Sequence, residues 1–254
     1  MRVVSYNMLN GGTGRVDPLT EVLLGCGADV VCLQEADLDA HVGYLARRLG
    51  LGHVAWGRCG LGRRHVAILS RGPFTWQQAI TLSGGATALR VALAQPGFTL
   101  ITCHLSPYAL DSSERQRMLE WSRLASALAF VSGPLVLAGD FNAVAAADPV
   151  DLHRLRPRDQ ARLAAAGQQH IPRSVMSAVA SAGLVDALQT CSAARATFPA
   201  VDPSLRIDHI LTRGCTVRAA GVWHTRLARF ASDHLPVFAE VDPAAASVPG
   251  AAGT

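Results

Sequence analysis

Short apolar runs, separated by glycine, proline and polar clusters, recur along the chain, and each run predicts a buried β-strand. The clearest run covers residues 134–138 and leads directly into Gly139, Asp140, Phe141 and Asn142. Further strands are predicted at residues 3–6, 29–33, 53–56, 65–70, 75–82, 88–94, 98–103, 207–211, 217–223 and 237–241. These signals extend over nearly the whole chain without a repeat or a linker, which favours one domain.

Segments with helical spacing of apolar residues lie between the strands and predict a mixed α/β protein. Helices are predicted at residues 18–24, 39–49, 111–131 and 174–182, with one or two short surface helices within 148–171. In the helix at 111–131, Asp111 and Glu114 have the spacing of a capping box. Its apolar stripe consists of Met118, Trp121, Leu124, Ala125 and Leu128.

The composition predicts one large folded domain followed by a flexible C-terminal tail. The chain has 254 residues, 50% of them apolar, which suffices for a substantial core. Residues 243–254 carry almost no bulky side chain, so we expect a domain over residues 1–242 followed by a flexible tail. The net charge of +4 fits an anionic substrate but does not by itself indicate nucleic acid.

The six cysteines predict a reducing compartment. None of them forms a Cys-x-x-Cys pair, and Cys32 and Cys103 lie inside apolar runs, so we interpret them as buried free thiols. No stretch is long and apolar enough for a membrane span, and the first strand begins directly after Met1, unlike a signal peptide. We therefore expect a cytoplasmic protein without membrane insertion, and no feature indicates an obligate protein partner.

Asp140 and Asn142 are the first candidates for a functional site. They lie two residues apart at the end of the run over 134–138. Side chains two apart on a strand point to the same side, so the two groups are predicted to project together. A carboxylate can polarise a water molecule, and an amide can hold one through hydrogen bonds. The pair therefore predicts a place where water is held and activated.

Other polar residues are predicted at the carboxyl ends of apolar strands, or just before the last strand. Each of them alone is explained by a turn or a cap, so only their combination predicts a site. No Cys–His cluster has the spacing of a structural zinc site, whereas hard oxygen ligands suited to Mg²⁺ are present. These further candidates are Asn7, Glu35, His104, Asp208, Asp233 and His234.

The side-chain chemistry of these residues suggests distinct roles. Glu35 and Asn7 offer oxygen ligands to a magnesium ion that keeps several waters. Asp208 and His234 could pair, so that the carboxylate raises the imidazole pKa and yields a cation that holds a phosphate oxygen. His104 could donate a hydrogen bond to a phosphate oxygen or a proton to the leaving group. Together with the water site, this set predicts phosphoester chemistry.

Six short motifs occur in a fixed order along the chain. They are Ser5-Tyr6-Asn7-Met8-Leu9, Leu33-Gln34-Glu35, Thr102-Cys103-His104-Leu105, Gly139-Asp140-Phe141-Asn142, Arg206-Ile207-Asp208-His209-Ile210 and Ser232-Asp233-His234-Leu235-Pro236-Val237. In this order they resemble the endonuclease/exonuclease/phosphatase superfamily, the DNase-I-like proteins. The resemblance runs from about residue 3 to residue 241.

The resemblance implies a fold, a metal and a set of site residues. The fold is a four-layer αββα sandwich, with two mixed β-sheets packed face to face and helices outside. The metal is Mg²⁺ or Mn²⁺, held chiefly by Glu35 with Asn7 and Asp233 near it. A phosphate-binding arginine is implied at Arg90, and His104 and Asn142 are also expected to touch the substrate. The residues implied in catalysis are Asp140, Asn142, His104, His234 and Asp208.

His209 and the arginines of residues 145–173 are expected to have structural roles. His209 alternates with Asp208 along its strand, so it is expected to face the other way as a core or interface histidine. The segment 145–173 is longer than the shortest relatives need. Its arginines are interpreted as a solvated helix face. They are Arg154, Arg156, Arg158, Arg162 and Arg173.

The function predicted from the sequence is metal-dependent hydrolysis of a phosphodiester or phosphomonoester. The candidate loops 58–64 and 154–173 carry arginines but no aromatic residue, and aromatics are 6% of the chain. We therefore favour a small phosphorylated metabolite, a lipid headgroup or a sugar phosphate as substrate. A DNA or RNA endo- or exonuclease remains the alternative. A non-hydrolytic or catalytically inactive member, acting in biosynthesis or binding, is a further one.

Overall fold

Two six-stranded β-sheets form the centre of the protein, for which a computed structural model describes residues 1–191 and 195–244. In chain order the strands are β1 (Arg2–Asn7), β2 (Val30–Gln34), β3 (His53–Gly57), β4 (Val66–Ser70), β5 (Phe74–Thr81), β6 (Thr87–Leu93), β7 (Thr99–His104), β8 (Leu135–Asp140), β9 (Val185–Asp186), β10 (Asp208–Arg213), β11 (Cys215–Val222) and β12 (Val237–Pro243). The helices are α1 (Val16–Cys26), α2 (Asp39–Leu49), α3 (Asp111–Leu128), α4 (Pro157–Ala165), α5 (Ser174–Ser181), α6 (Ala187–Thr190) and α7 (Ala228–Ala231).

Both sheets are mixed. The first sheet has the strand order β11-β12-β1-β2-β4-β3, in which only β1 and β2 run parallel. The second has the order β5-β6-β7-β8-β10-β9, in which only β7 and β8 run parallel. The two strands of each parallel pair therefore end at the same edge of their sheet. This is the sandwich that the sequence predicted.

The central core lies between the two sheets. Alternate residues of the strands meet there, among them Val3, Val30 and Ile68 from the first sheet and Val91, Val136 and Ile210 from the second. Each such side chain contributes roughly 1.5–3 kcal/mol when it is fully removed from water. The packing of this layer therefore fixes how the strand ends of one sheet lie against those of the other.

Helices cover the outer face of each sheet. Apolar residues of α1, α2 and α7, such as Leu23, Leu45 and Ala231, pack on the first sheet. Trp121 of α3 and Val175 of α5 pack on the second. The predicted apolar stripe of α3 is thus confirmed, and the four-layer order of helices and sheets is complete.

A fourth apolar cluster lies beside the sandwich. It joins Leu155 and Leu163 from the predicted insertion to Phe198, Leu205 and Ile207, which lie just before β10. Each of these side chains is almost fully buried. The insertion is therefore packed against the body of the protein at the edge where β10 begins.

The start of α3 differs from the prediction. Asp111 is the first helical residue rather than the cap, Leu110 occupies the cap position, and no side chain caps the helix there. Glu114 is buried instead, because it pairs with Arg117 and accepts a hydrogen bond from Val175 N at 2.8 Å. The capping-box prediction is wrong, because Glu114 forms an ion pair with Arg117 and accepts from Val175 N instead of capping the helix.

The C-terminal boundary of the domain stays a prediction. Pro243 still belongs to β12, and the backbone N–H of Ala244 donates to Gly214 O at 2.9 Å. Residues 245–254, the larger part of the expected tail, lie outside the described residues. Across the part of the chain that the structure describes, no helix is long and apolar enough to cross a membrane.

Candidate active site

Four predicted site residues point into the space between the sheets at one edge of the sandwich. On β8, Val136 and Ala138 belong to the central core, so Asp140 continues the same inner face. The same alternation places His104 on the inner face of β7 and Asn7 on that of β1. His104 and Asp208 are both register partners of Asp140 on the neighbouring strands. Strand alternation and register therefore bring these side chains together.

Asp208 stands at the first residue of its strand, not at the last. The pattern of polar residues at carboxyl ends of strands is thus wrong for this position. Because β10 runs antiparallel to β8, its start lies at the same edge as the end of β8. Antiparallel pairing brings Asp208 to the cluster in spite of its position along the strand.

His234 and Asp208 form a buried pair. His234 Nδ1 lies 2.9 Å from Asp208 Oδ2, which also accepts a hydrogen bond from Thr197 Oγ1 at 2.6 Å. Burial alone lowers the pKa of His234, but the charges of Asp208 and Asp140 outweigh it and raise the pKa to about 10. The imidazole is therefore a cation at neutral pH, fixed by Asp208 and with Nε2 facing Asp140.

Asp140 is the centre of the polar cluster. Its Oδ2 lies 3.1 Å from Asn7 Nδ2, 3.4 Å from His104 Nε2 and 3.7 Å from His234 Nε2. Burial raises the pKa of Asp140 above its usual value, and the nearby charge of Asp208 adds to this effect, against the attraction of the two histidines. A carboxylate with a raised pKa is a better proton acceptor, as a general base requires.

Asn142 and His104 both contact Asp140. The backbone N–H of Asn142 donates to Asp140 Oδ1 at 2.9 Å, and its Nδ2 donates to Leu105 O at 3.0 Å. Asn142 has φ 50°, a conformation that asparagine tolerates better than most residues. His104 keeps 12% of its side chain exposed. Both residues line the cavity, as does Asp140.

Glu35 is held at the rim of the same cluster. Its Oε1 lies 3.3 Å from Asn7 Nδ2, and its Oε2 accepts from the backbone N–H of Asn10 at 2.7 Å. Glu35 has φ 54°, a strained conformation for a residue with a side chain. The polar N–H group of Asn7 thus lies between the carboxylates of Glu35 and Asp140.

This donor set fits a hard divalent cation. Glu35 and Asp233 both line the cavity, and their oxygen atoms are the ligands that Mg²⁺ and Mn²⁺ prefer. Glu35 keeps 16% and Asp233 31% of the side chain exposed, so an ion that retains several waters can reach them. The carboxylates of Glu35 and Asp233 would therefore hold the metal. Asn7 is expected from the sequence as an oxygen ligand, but its Nδ2 faces Glu35 and its Oδ1 accepts from the backbone N–H of Leu9 at 2.9 Å.

A second group of ligand atoms suits a metal less well. Within the described residues, Asp140, Asp208 and His234 offer ligand atoms that lie within 4.8 Å of one another. The protonated imidazole of His234 already lies between the two carboxylates and offsets their charge. A divalent cation at this position would have to displace that proton, so the rim near Glu35 is the better metal position.

A cavity of about 340 Å³ connects these groups. Its polar part contains Glu35, His104, Asp140, Asn142, Asp233 and His234. Its remaining wall includes Phe198 and Leu205, together with Leu155 and Arg156 from the insertion and Tyr108 from the loop after β7. Arg63 and Arg64, from the loop between β3 and β4, line it as well.

Arg90 does not lie with the other predicted site residues. Leu89 and Val91 of β6 belong to the central core, so Arg90 points to the outer face of the sheet. There its Cζ lies 4.7 Å from the centre of the Trp76 ring. The expected phosphate-binding role of Arg90 has no support in this geometry, because strand alternation turns the side chain away from the cavity.

Two other sequence interpretations have clear outcomes. His209 is fully buried on the outer face of β10 and lies 2.9 Å from Ala143 O through Nε2, which confirms a core position. Arg156, which the sequence predicts on a solvated helix face, instead lines the cavity beside Phe198. No local pattern distinguished Arg156 from the neighbouring arginines, because its location depends on how the insertion packs.

Known families and solved structures resemble this chain over most of its length. The sequence profile of the Endonuclease/Exonuclease/phosphatase family matches residues 4–234. A search of curated proteins finds no significant match. An endonuclease/exonuclease/phosphatase from Beutenbergia cavernae has a TM-score of 0.77 and 20% identity, covering 97% of this chain and 72% of that one.

Two further solved structures share the fold. A 3′ phosphatase from Neisseria, bound to a product DNA hairpin, has a TM-score of 0.70 and 22% identity, covering 95% of this chain and 99% of its own. A mannosyl-6-phosphatase from Bacteroides thetaiotaomicron has a TM-score of 0.68 and 19% identity, with 95% and 99% covered. At these identities the likeness establishes the fold.

Proposed function

This chain belongs to the endonuclease/exonuclease/phosphatase family of phosphoester hydrolases, and we propose that it hydrolyses a small phosphoester by metal-dependent attack of water. The observation that carries the proposal is the convergence of Asp140, His104 and the Asp208–His234 pair at the cavity whose rim carries Glu35. A general base, a cation for the phosphate and a place for a divalent ion are then all within reach of one phosphate group.

The protein side chains divide the work of the reaction. Asn142 holds the attacking water, and Asp140 takes its proton. The protonated His234, fixed by Asp208, donates a hydrogen bond to a phosphate oxygen as negative charge develops there. His104 donates to a second oxygen or protonates the leaving alcohol. A metal ion bound by Glu35, with Asn7 and Asp233 nearby, would supply Lewis-acid stabilisation of the same charge.

The size of the cavity supports a small substrate. A volume of about 340 Å³ is in the range of small-molecule pockets. Leu155 of the insertion, with Leu205 and Phe198, forms a wall beside the catalytic groups. We therefore favour a phosphomonoester or a compact phosphodiester, such as a phosphorylated metabolite, a lipid headgroup or a sugar phosphate.

A screen of phosphoester classes with added Mg²⁺ or Mn²⁺ tests this proposal. Sugar phosphates, inositol phosphates, sphingomyelin and nucleotides represent small substrates, and plasmid DNA, abasic DNA and RNA represent polymers. We expect turnover of a small ester that disappears with a chelator and in the H234A variant. Full activity of H234A, or no turnover of any ester with either metal, would contradict the proposal.

One observation favours nuclease activity as a second candidate. Leu61 is fully exposed on the loop between β3 and β4, next to Gly62, Arg63 and Arg64, which line the cavity. An apolar side chain followed closely by two arginines can enter a nucleic-acid groove. Cleavage of DNA or RNA that falls at least about tenfold in L61A, at unchanged thermal stability, would support this candidate over the small substrate.

We also propose a reducing, cytoplasmic location. The six cysteines are all free, and Cys26, Cys32 and Cys103 are buried. Burial raises the pKa of the Cys26 and Cys32 thiols to about 12, so they stay protonated and unreactive. Native protein isolated with disulfide bonds, or from a secreted fraction, would contradict this location.

A further inference from the structure

Arg156 is fixed in place at the wall of the active-site cavity. Its Nε donates to Asp159 Oδ2 at 2.7 Å, and its Cζ lies 4.0 Å from the centre of the Phe198 ring. An arginine that is stacked on an aromatic face and held by a carboxylate loses little further freedom when it binds a ligand. Arg156 is therefore a preorganised binding group.

The other N–H groups of Arg156 are available to a ligand. Apart from Asp159, Arg156 donates no hydrogen bond to any residue that the structure describes. Its Nη1 lies 3.8 Å from Asp233 Oδ2, beyond hydrogen-bond distance. The side chain is 23% exposed and lines the cavity. A guanidinium with free terminal N–H groups favours a carboxylate or a phosphate in a two-point contact.

Phe198 sets the position of Arg156 relative to the catalytic groups. One contact of its ring is the guanidinium of Arg156, and the ring centre also lies 4.8 Å from the centre of the His234 imidazole. The Phe198 ring thus separates Arg156 from His234, the proposed phosphate-binding group. A substrate phosphate at His234 leaves Arg156 to meet the part of the substrate beyond it.

The wall next to Arg156 is apolar. It is formed by residues of the cluster that the insertion completes, each at most 8% exposed. A polar alcohol without an apolar part would leave this wall in contact with water, whereas a ring or short hydrocarbon would cover it and displace that water. These wall residues are Val144, Leu155, Ile171, Leu205 and Ile207.

We propose that Arg156 selects the alcohol part of the substrate, favouring a compact apolar body that carries a second anion. That anion is a carboxylate or a second phosphate, bound by the terminal N–H groups of Arg156. The inference rests on the proposed phosphoester hydrolysis and narrows its substrates to phosphorylated metabolites of this kind, ahead of sugar phosphates and lipid headgroups. Asp159 and, at 3.8 Å, Asp233 offset part of the charge of Arg156, but Asp159 shares its own charge with Arg162.

Arg162 offers a matched control. It donates to the other oxygen of Asp159 at 2.9 Å, and its Cζ lies 4.4 Å from the centre of the Tyr108 ring. It therefore has the same carboxylate partner and the same kind of aromatic contact as Arg156, yet it does not line the cavity. A variant at Arg162 removes the same charge and a similar stack without touching the bound substrate.

Calorimetric binding of two non-hydrolysable ligands tests the proposal in the full chain with Mg²⁺. The ligands are phenylphosphonate and 4-carboxyphenylphosphonate, which differ only in the second anion. We expect the carboxylated ligand to bind wild type and R162Q about tenfold more tightly, since a charge-assisted pair supplies about 1.4 kcal/mol or more. In R156Q the two ligands should bind about equally.

Several outcomes would overturn the proposal: no preference in wild type, a preference kept by R156Q, or equal losses in R156Q and R162Q. If R156Q fails to fold, R156K keeps the charge without the planar fork, and it should lose part of the preference. Turnover of phenyl phosphate by wild type checks the proposed function separately. Absence of binding by both phosphonates to wild type would count against the phosphate site and, with it, this proposal.

Discussion

His234 Nδ1 and Asp208 Oδ2 lie 2.9 Å apart, although the segments that carry them lead into strands of different sheets. Asp208 begins β10 of the second sheet, and His234 lies just before β12 of the first. Ser232 supports this contact, since its hydroxyl donates to Asn7 O at 2.7 Å and accepts from His234 N at 3.2 Å. The pair therefore forms only when the two sheets pack in their native register.

Replacement of Asp140 by asparagine should remove the general base without disturbing the fold. The amide matches the carboxylate in size but cannot take a proton from water, so we expect turnover to fall by about 10² or more. Steady-state kinetics on the best substrate of the screen measures this effect. Asp202→Asn is the matched control, because Asp202 is exposed and pairs with Arg154. Equal activity of the two variants would rule out the assigned role of Asp140.

The raised pKa of His234 predicts a pH-dependent stability. A solvent-exposed histidine titrates near 6.5, whereas the pKa of His234 in the folded chain is about 10. Its charge therefore stabilises the fold fully below about pH 6.5, and this contribution is lost as the pH rises through 10. Between these values the free energy of unfolding should fall by up to about 1.4 kcal/mol per pH unit.

Urea unfolding of wild type and His234→Gln, with metal removed by a chelator, measures this pH effect. The difference in unfolding free energy between the two proteins should shrink steadily from pH 6.5 to pH 10. The glutamine variant acts as the control, since all other titrating groups are shared. A difference that stays constant over this range would show that His234 is not charged in the folded state.

Glu35→Gln should weaken metal binding before it affects the fold. An amide oxygen is a poorer ligand for Mg²⁺ than a carboxylate, so the half-saturating Mg²⁺ concentration should rise by at least about tenfold. Titration of activity with Mg²⁺ and calorimetry of Mg²⁺ binding both measure this shift. Asp39→Asn is the control, because Asp39 is exposed and paired with Arg58 away from the cavity. An unchanged metal requirement in Glu35→Gln would move the metal site elsewhere.

Arg206→Ala should strongly destabilise the protein. Arg206 is buried and pairs with Asp148 at 2.7 Å and with Asp186 at 2.6 Å. Burial raises the pKa of Asp186, but its contacts with His209 and Arg206 outweigh this effect and hold the pKa below its usual range. Loss of the arginine leaves two buried carboxylates without their partner, which costs about 3–5 kcal/mol. The exposed Arg218, paired with Asp242, gives a comparison in which Arg218→Ala costs less than about 1 kcal/mol. Urea unfolding separates the two values.

Local sequence patterns predicted most elements and the main members of the site. Helix α2 has the predicted bounds, 39–49, and the strand ends that deliver Asn7, His104 and Asp140 lie within one or two residues of the predicted ones. Burial of alternate residues is a local property, so each strand could be recognised from its own sequence. The short elements β9, α6 and α7 gave no such signal, because two to four residues carry too little periodicity.

The structure differs from the sequence-based expectation at Glu114 and at Arg90. Glu114 has the spacing of a cap but pairs with Arg117 and receives a hydrogen bond from the backbone of Val175. Arg90 has the charge for a phosphate contact, but its strand turns it to the outer face. The partner of Glu114 depends on packing that the local pattern does not contain. The outward orientation of Arg90 follows instead from the alternation of side chains along β6, between the core residues Leu89 and Val91.

The sequence by itself determined the strands, the polar residues at their ends and the kind of chemistry these residues can perform, because hydrophobic periodicity and side-chain reactivity are local properties. Only the tertiary structure decided which groups share the cavity. Packing of the two sheets brought Asp208 to His234, and packing of the insertion brought Arg156 to the wall. Such contacts depend on the relative position of whole layers, which no single segment of the chain specifies.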